Sequence, residues 1–298
     1  MAAEGDTISW FTYTGAEGER IPQHVTHVLV HEFTTVVRER AFFGHPNIVE
    51  VICHDKVEKI AEGAFFRCPS LKRVIMPGVI IVEAMGFIHC DVLTDVECEK
   101  LERIEDGAFW KCRSLRSINL PSAEVLENSV FAECKALTDV KLGNKLEFCG
   151  RKVFKNCPSL ERITIPLKKL IMTDNTFQGC VALEYVDLVE EVLLQEIIAA
   201  LHLEEWRHDM NEEVDSIHLI LPAASGGGWD ANIDIEYEGE KTTTIRRWIS
   251  SVLGKIDHYK AEHQCLLDEA ATTFQLTLPA EIVRDNVLAF LALPSHTF

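Results

Sequence analysis

The amino-acid sequence predicts a solenoid of parallel strands followed by an α-helical tail, and three observations carry that expectation. Phe42, Phe65, Phe87, Phe109, Phe131, Phe154 and Phe177 recur every 22 or 23 residues, which accounts for seven of the fifteen phenylalanines. Nine and eleven residues after each comes an apolar pair, running from Val51 and Cys53 through Ile118 and Leu120 to Val186 and Leu188. The period stops at Leu188 and the charge shifts there too, with 27 acidic against 22 basic side chains over 1–188 and 20 against 7 over 189–298.

A unit of about 23 residues cannot bury its apolar positions against itself, so the repeat requires neighbouring units to stack into one core. In each unit the L-x-x-V-x-L run, short and β-branched at its centre, reads as a parallel strand with alternate side chains inward. Pro77, Pro121 and Pro166 directly follow such strands, where a missing N–H ends the ladder at little cost. Five residues before each phenylalanine stands another apolar residue, from Val37 to Met172, and three after it a cysteine, with His45 in that place in the first unit. The A/V-F-x-x-C stretch is expected to form a short helical or 3₁₀ back wall with its phenylalanine inside the coil. Residues 25–30 supply one more strand without a phenylalanine, as a terminal cap, so that the solenoid is expected to occupy 20–188. Unit three, with Met85-Gly86 before Phe87 and no proline after Cys98, is expected to be irregular.

The pattern I-x-x-x-A-F-x-x-C-x-x-L-x-x-V-x-L-P, seen from Ile60 to Pro77 and again from Ile104 to Pro121, resembles the BspA-type leucine-rich repeat. The resemblance implies a leucine-rich repeat solenoid used as a recognition scaffold, without catalysis. In some organisms such repeats serve as secreted or cell-surface adhesins. The order of segments also looks like that of a group of algal repeat proteins, through L-H-L-E-E-W at 201–206, T-x-x-I-R-R-W-I at 242–249 and D-x-V-L-x-F-L at 285–291.

Helical spacing takes over in the tail, 189–298. Leu203, Trp206, Met210, Val214, Ile217 and Leu221 follow at steps of three and four, an amphipathic helix stopped by Pro222. Residues 222–240 combine Gly226, Gly227 and Gly228 with acids at Asp234, Glu236, Glu238 and Glu240, which reads as a flexible acidic loop. From Ile245 a stricter stripe of Ile249, Val252, Ile256, Tyr259, His263, Leu266, Ala270 and Thr273 predicts a coiled-coil-like helix. It would fold back on 203–221 as an antiparallel hairpin, with its excess length free for a second partner, including another copy of the chain.

The 298 residues carry a formal charge of −18 and 47% hydrophobic content. That balance argues for a globular chain and against nucleic acid or an anionic membrane as the main partner, since both need a basic surface. The start, Met1 to Asp6, lacks a signal-peptide pattern, so an intracellular home, cytoplasmic or nuclear, is expected. The ten cysteines contain no C-x-x-C, and six of them stand one per coil pointing inward, which favours a buried column of free thiols over zinc or disulfides. Cys265, on the long helix, is the expected exception to burial. His24, His27 and His31 do not share a strand face and are expected to guard the capping edge instead of binding metal. His258 and His263 are five apart, not the four of a helical ligand pair. No catalytic residue, metal or cofactor is expected. Partner binding by protein is assigned to the outward strand residues of the concave sheet, Glu50, Arg73, Asp95, Glu97, Lys141, Arg162 and Tyr185, and to Ile256 and Tyr259 on the tail helix. Ile52 and Ile75 add aliphatic character to that sheet.

Overall fold

A computed structural model describes residues 8–168, 171–189, 204–217 and 234–275. The chain divides into two compact units. One holds the repeats together with the start of the long helix as far as Thr244, and the other holds the shorter helix and the long helix from Ile245 onward.

The repeat unit is a solenoid of about seven turns. Its front strands are Trp10–Tyr13, His27–Val30, Glu50–Ile52, Arg73–Ile75, Asp95–Glu97, Ser117–Leu120, Asp139–Leu142, Arg162–Ile165 and Tyr185–Leu188. Within two sheets, one from Trp10–Tyr13 to Asp95–Glu97 and one from Ser117–Leu120 to Tyr185–Leu188, they pair in parallel and in register, so that Glu50 lies beside Arg73 and Arg73 beside Asp95. The back of each turn is a two-residue strand, from Val36–Val37 to Ile171–Met172, and these seven join into one uninterrupted parallel sheet. The buried member of each back strand is the apolar residue five before the phenylalanine, such as Ile60, Val82 and Ile104.

The A-F-x-x-C stretch is a series of turns and not the helical wall expected. Two residues in every coil, two before and two after the phenylalanine, take left-handed backbone angles, as Gly63 and Arg67 or Gly107 and Lys111 do. That conformation cannot continue a right-handed helix. The phenylalanine N–H therefore bonds forward to the next coil, for example Phe65 to the Gly86 carbonyl at 2.8 Å and Phe109 to that of Val130 at 2.9 Å.

The seven phenylalanine rings form a buried column, each nearly parallel to the next, with centroids from 4.8 Å (Phe42 and Phe65) to 5.6 Å (Phe154 and Phe177) apart. Tyr13 closes the column at 5.0 Å from Phe42 and accepts a bond from the Arg38 N–H at its hydroxyl. The strand Trp10–Tyr13 moves the solenoid's edge outward from 25–30, so His27 and its neighbours do not guard an edge; the His27 strand is paired on both sides. All ten cysteines are free, nine buried and Cys265 exposed. Each repeat thiol donates to the phenylalanine carbonyl of the preceding coil, from 3.0 Å for Cys68 to Phe42 to 3.3 Å for Cys112 to Phe87. A small donor at this position links adjacent coils without disturbing the stack. In the first unit the buried His45 ring does the same, its Nε2 bonding the Pro22 carbonyl, and burial lowers its pKa. Unit five ends its strand on Gly143 where others have proline, because a Cβ there would collide with the Pro121 carbonyl of the coil before.

No further coil stacks on the last one among the described residues, and the start of the long helix bonds to it instead. That helix runs Asp234–Gln275, so 234–240 is helical and not part of the acidic loop expected there. The Thr242 hydroxyl accepts the Phe177 N–H at 3.2 Å, the bond that an eighth coil's carbonyl would take. The buried Lys241 ammonium donates at 3.0 Å to each of the Cys180, Val181 and Leu183 carbonyls. In earlier coils the carbonyl equivalent to Val181 takes a serine hydroxyl, Ser70 to Pro46 and Ser114 to Asp91. This tertiary anchor overrides the weak helix preference of Gly239 and the three threonines that follow.

In the second unit the helix Glu204–Asp215 and the long helix from Ile245 onward pair antiparallel. Trp206 stacks on Tyr259 at 5.2 Å, Lys255 bridges Asp209 at 2.6 Å and Glu213 at 3.1 Å, and the Trp248 indole donates to the Glu213 carbonyl at 2.9 Å. The buried stripe begins as expected, with Ile245, Ile249, Val252, Ile256 and His263, but then takes Leu267 and leaves Leu266 exposed. A straight helix drifts about 20° per heptad against a strict seven-residue repeat. Over three heptads the buried line therefore moves one residue on, as befits a helix packed locally and not supercoiled. The expected stripe positions Ala270 and helix residues near 203 and 221 fall where side chains or backbone lie outside the described residues.

Candidate functional site

The front face of the repeat unit presents two rows of outward side chains, fixed by strand alternation and register. One row runs Trp10, His27, Glu50, Arg73 and Asp95, then Ser117, Asp139, Arg162 and Tyr185. The other runs Thr12, Leu29, Ile52, Ile75 and Glu97, then Asn119, Lys141, Thr164 and Asp187.

The structure brings the expected residues into two clusters. Arg73 spans three coils, donating to Glu50 at 3.4 Å and to Glu97 at 2.7 Å, and that carboxylate environment pushes its pKa up. Arg162 binds Asp187 at 2.7 Å and lies 4.6 Å over the Tyr185 ring, a pairing that holds the ring half exposed and oriented. Lys141 is exposed in the row between them. Ile256 and Tyr259 belong to the other unit. Ile256 is buried inside the single chain, which corrects its assignment to a partner surface. Tyr259 is half-buried with its hydroxyl donating to Asp209, and burial together with that carboxylate raises its pKa to about 12.

Three features were not read from sequence. Leu29, 45% exposed, joins Ile52 and Ile75 in one apolar row at the N-terminal end of the face, and Trp10, 55% exposed, stands in the adjoining row against the His27 ring. Their signal was the alternation of Trp10-Phe11-Thr12-Tyr13, which lacks the repeat's phenylalanine and so escaped the period. The second feature is a break in the sheet. The front strands form a five-stranded sheet ending at Asp95–Glu97 and a four-stranded sheet starting at Ser117–Leu120, with no ladder between them.

At every other join two consecutive N–H groups bond one carbonyl of the coil before, as Thr94 and Asp95 bond Lys72, or Thr138 and Asp139 bond Arg116. The N–H groups of Arg116 and Ser117 make no such bond to Thr94. The irregularity expected of unit three is thus found on its front edge. The third feature is a cleft of about 370 Å³ at this break, lined by residues that include Arg73, Asp95, Val96, Glu97, Ser117 and Asn119.

Among the described residues no group of three or more His, Cys, Asp or Glu is arranged to hold a metal, and no helix is long and apolar enough to cross a membrane. The pKa shifts of the thiols are upward and caused by burial, to about 12 for Cys53, Cys98, Cys134 and Cys149. Such thiols are inert as nucleophiles.

The family model for the BspA type leucine rich repeat region matches six copies, over residues 24–125 and 102–199, which together exceed half of the chain. Nothing in that match bears on the algal resemblance of the tail. No curated protein matches the sequence. Among solved structures, a leucine-rich repeat protein of T. pallidum is 22% identical, with a TM-score of 0.39, covering 60% of this chain and 73% of that one. A leucine-rich repeat protein from Eubacterium ventriosum ATCC 27560 is 15% identical, with a TM-score of 0.35, covering 55% and 73%. One from Bacteroides ovatus ATCC 8483 is 21% identical, with a TM-score of 0.33, covering 61% and 64%. The six-copy match, with the coil-by-coil register of strands and phenylalanines, places the chain in the BspA-type leucine-rich repeat family.

Proposed function

We propose that this chain is a non-catalytic scaffold that binds protein partners through the front face of its repeats. The observation that carries the reading is the composition of that face in register. An apolar row of Leu29, Ile52 and Ile75, ending on Glu97, runs beside the row that carries Trp10, Glu50 and Arg73, and Arg73 ion-pairs with Glu50 in its own row and with Glu97 in the other. Half-exposed aromatic and aliphatic side chains rimmed by charges of both signs match polypeptide surfaces, which offer both, better than a polyanion, which offers one charge. The Arg162 and Tyr185 pair gives the other end of the face an oriented aromatic of the kind enriched at binding hot spots.

The reading includes an intracellular setting, supported by ten free cysteines of which nine are buried, since exported proteins with many cysteines usually pair them. The alternative, a secreted or cell-surface adhesin, would use the same face. Self-association through the tail has narrower support, because Val252 and Ile256 are already covered and Leu266, with Cys265 beside it, is the one large apolar stripe residue left exposed among those described.

A photo-crosslinking amino acid placed at Leu29 on the front and, separately, at Lys152 on the back tests the assignment in cells. Protein adducts should form from the front position and be at least severalfold weaker from the back. Equal labelling from both positions, or adducts from the back alone, would overturn it.

A further inference from the structure

The break between Asp95–Glu97 and Ser117–Leu120 has the chemistry of a specific subsite. Its floor is apolar: Val96 is half-buried, whereas its counterparts Val51, Val74, Val140 and Ile163 are fully buried, and Ile118 lies beside it. Its rim is anionic. Asp95 accepts the Thr94 hydroxyl at 2.6 Å and makes no ion pair, while Glu97 shares Arg73 with Glu50, leaving the three carboxylates with one guanidinium. Its wall includes Ser117, whose N–H, like that of Arg116 next to it, makes none of the bonds to the coil before that every other coil makes at this place. Main-chain donors not used between coils, at an open strand edge, favour an extended segment that can supply a carbonyl. A volume of about 370 Å³ admits one long side chain together with a short stretch of backbone.

We propose that this cleft receives an extended segment of a protein partner and seats a lysine or arginine side chain of that segment. The aliphatic stem lies on Val96 and Ile118, the cationic head lies between Asp95 and Glu97, and a carbonyl of the segment accepts from Arg116 and Ser117. Charge selects this occupant: an acidic or phosphorylated segment would meet Asp95 and Glu97 head-on, and a purely apolar one would leave the rim and the donors unpaired. The inference rests on the protein-binding reading of the front face and names the partner chemistry at one place on it.

The test uses the full chain, labelled with ¹⁵N, and the capped pentapeptide TVKVT beside the same peptide with its lysine acetylated. The lysine peptide should shift the amide signals of 94–97 and 116–119, saturating at millimolar concentration. Acetylation, or the double substitution Asp95→Asn with Glu97→Gln, should weaken binding about tenfold, the effect of one charge-assisted contact. Raising salt should weaken the lysine peptide and leave the acetylated one unchanged. Equal binding of the two peptides, no shifts at either stretch, or shifts confined to other residues would each overturn the proposal. Shifts confined to Leu29 and Ile75 would do so while leaving the protein-binding reading intact. If no peptide binds anywhere, the cleft assignment falls and the Leu29 crosslink alone decides the broader reading.

Discussion

Coils three and four meet differently on their two sides, and the contrast shows what holds the solenoid and what is spare. On the back, Ile81 and Val82 pair in register with Arg103 and Ile104, the Phe87 N–H bonds the Ala108 carbonyl at 2.7 Å, and the Phe87 and Phe109 rings lie 5.1 Å apart. The Cys112 thiol adds its bond to the Phe87 carbonyl. On the front, the same two coils share no strand ladder and their N–H groups at Arg116 and Ser117 are left over. Stacking is therefore set by the core column and the back ladder, and the front sheet can open locally without separating the coils. A repeat protein needs such a division if one surface is to vary while the stack stays constant.

The largest effect should come from titrating the buried thiols of the repeat unit. Cys53, Cys98, Cys134 and Cys149 hold their protons up to about pH 12, against an ordinary thiol value near 9 once the chain is unfolded, and Cys90, Cys112 and Cys157 are also pushed well up. The folded state thus binds more protons than the unfolded state above pH 9. Stability is complete below that and falls as pH rises toward 12, by about 1.4 kcal/mol per pH unit for each thiol fully titrated in the unfolded chain. Several thiols act together, so the repeat unit should lose its circular dichroism signal cooperatively between about pH 9 and 11 in the presence of reductant. Replacing the exposed Cys265 with serine should not move that transition. A signal unchanged to pH 11 would mean that the column is not buried as described.

Next in size is Phe109→Ala. It removes the ring that touches both Phe87 and Phe131, at 5.1 and 5.4 Å, and leaves a cavity shared by three coils. Urea unfolding should show a loss of about 3–5 kcal/mol. A loss below about 1 kcal/mol would place the burden of stacking on the back ladder alone.

What the sequence made legible follows the same division. The phenylalanine column, the cysteines and the back-strand apolar residues are dictated by burial inside a repeating cell, so they recur with a period that a single chain displays. The two left-handed positions per coil left a fainter trace, in Gly44, Gly63, Gly107, Gly179, Asn156 and Asn175, diluted by arginine, lysine and serine at the same places. The front break left none of its own beyond the missing proline after Cys98, because an unmade hydrogen bond has no residue type. Lys241 and Thr242 were unreadable for another reason: their role as a cap depends on which chain segment returns to the last coil, and long-range return is not encoded in local spacing. On the tail, spacing located both helices, but the strict heptad misplaced Leu266 and Leu267, since a helix paired over twelve residues has no cause to supercoil.

The smallest effect sharpens the comparison most directly, because it sets equivalent residues of coils three and five against each other. Val140 is fully buried beneath an intact ladder, while Val96 occupies the same place in its coil and is half-buried at the break. Val140→Ala removes two buried methyl groups and should cost about 2 kcal/mol in urea unfolding. Val96→Ala removes the same atoms from a site that already borders water and can relax into the cleft, so its cost should be about 1 kcal/mol or less. The difference is close to the error of extrapolated free energies, so midpoint shifts at a common slope are the quantity to compare. If the two substitutions cost the same, the front of coil three is closed in solution, and the cleft with its unpaired donors at Arg116 and Ser117 closes with it.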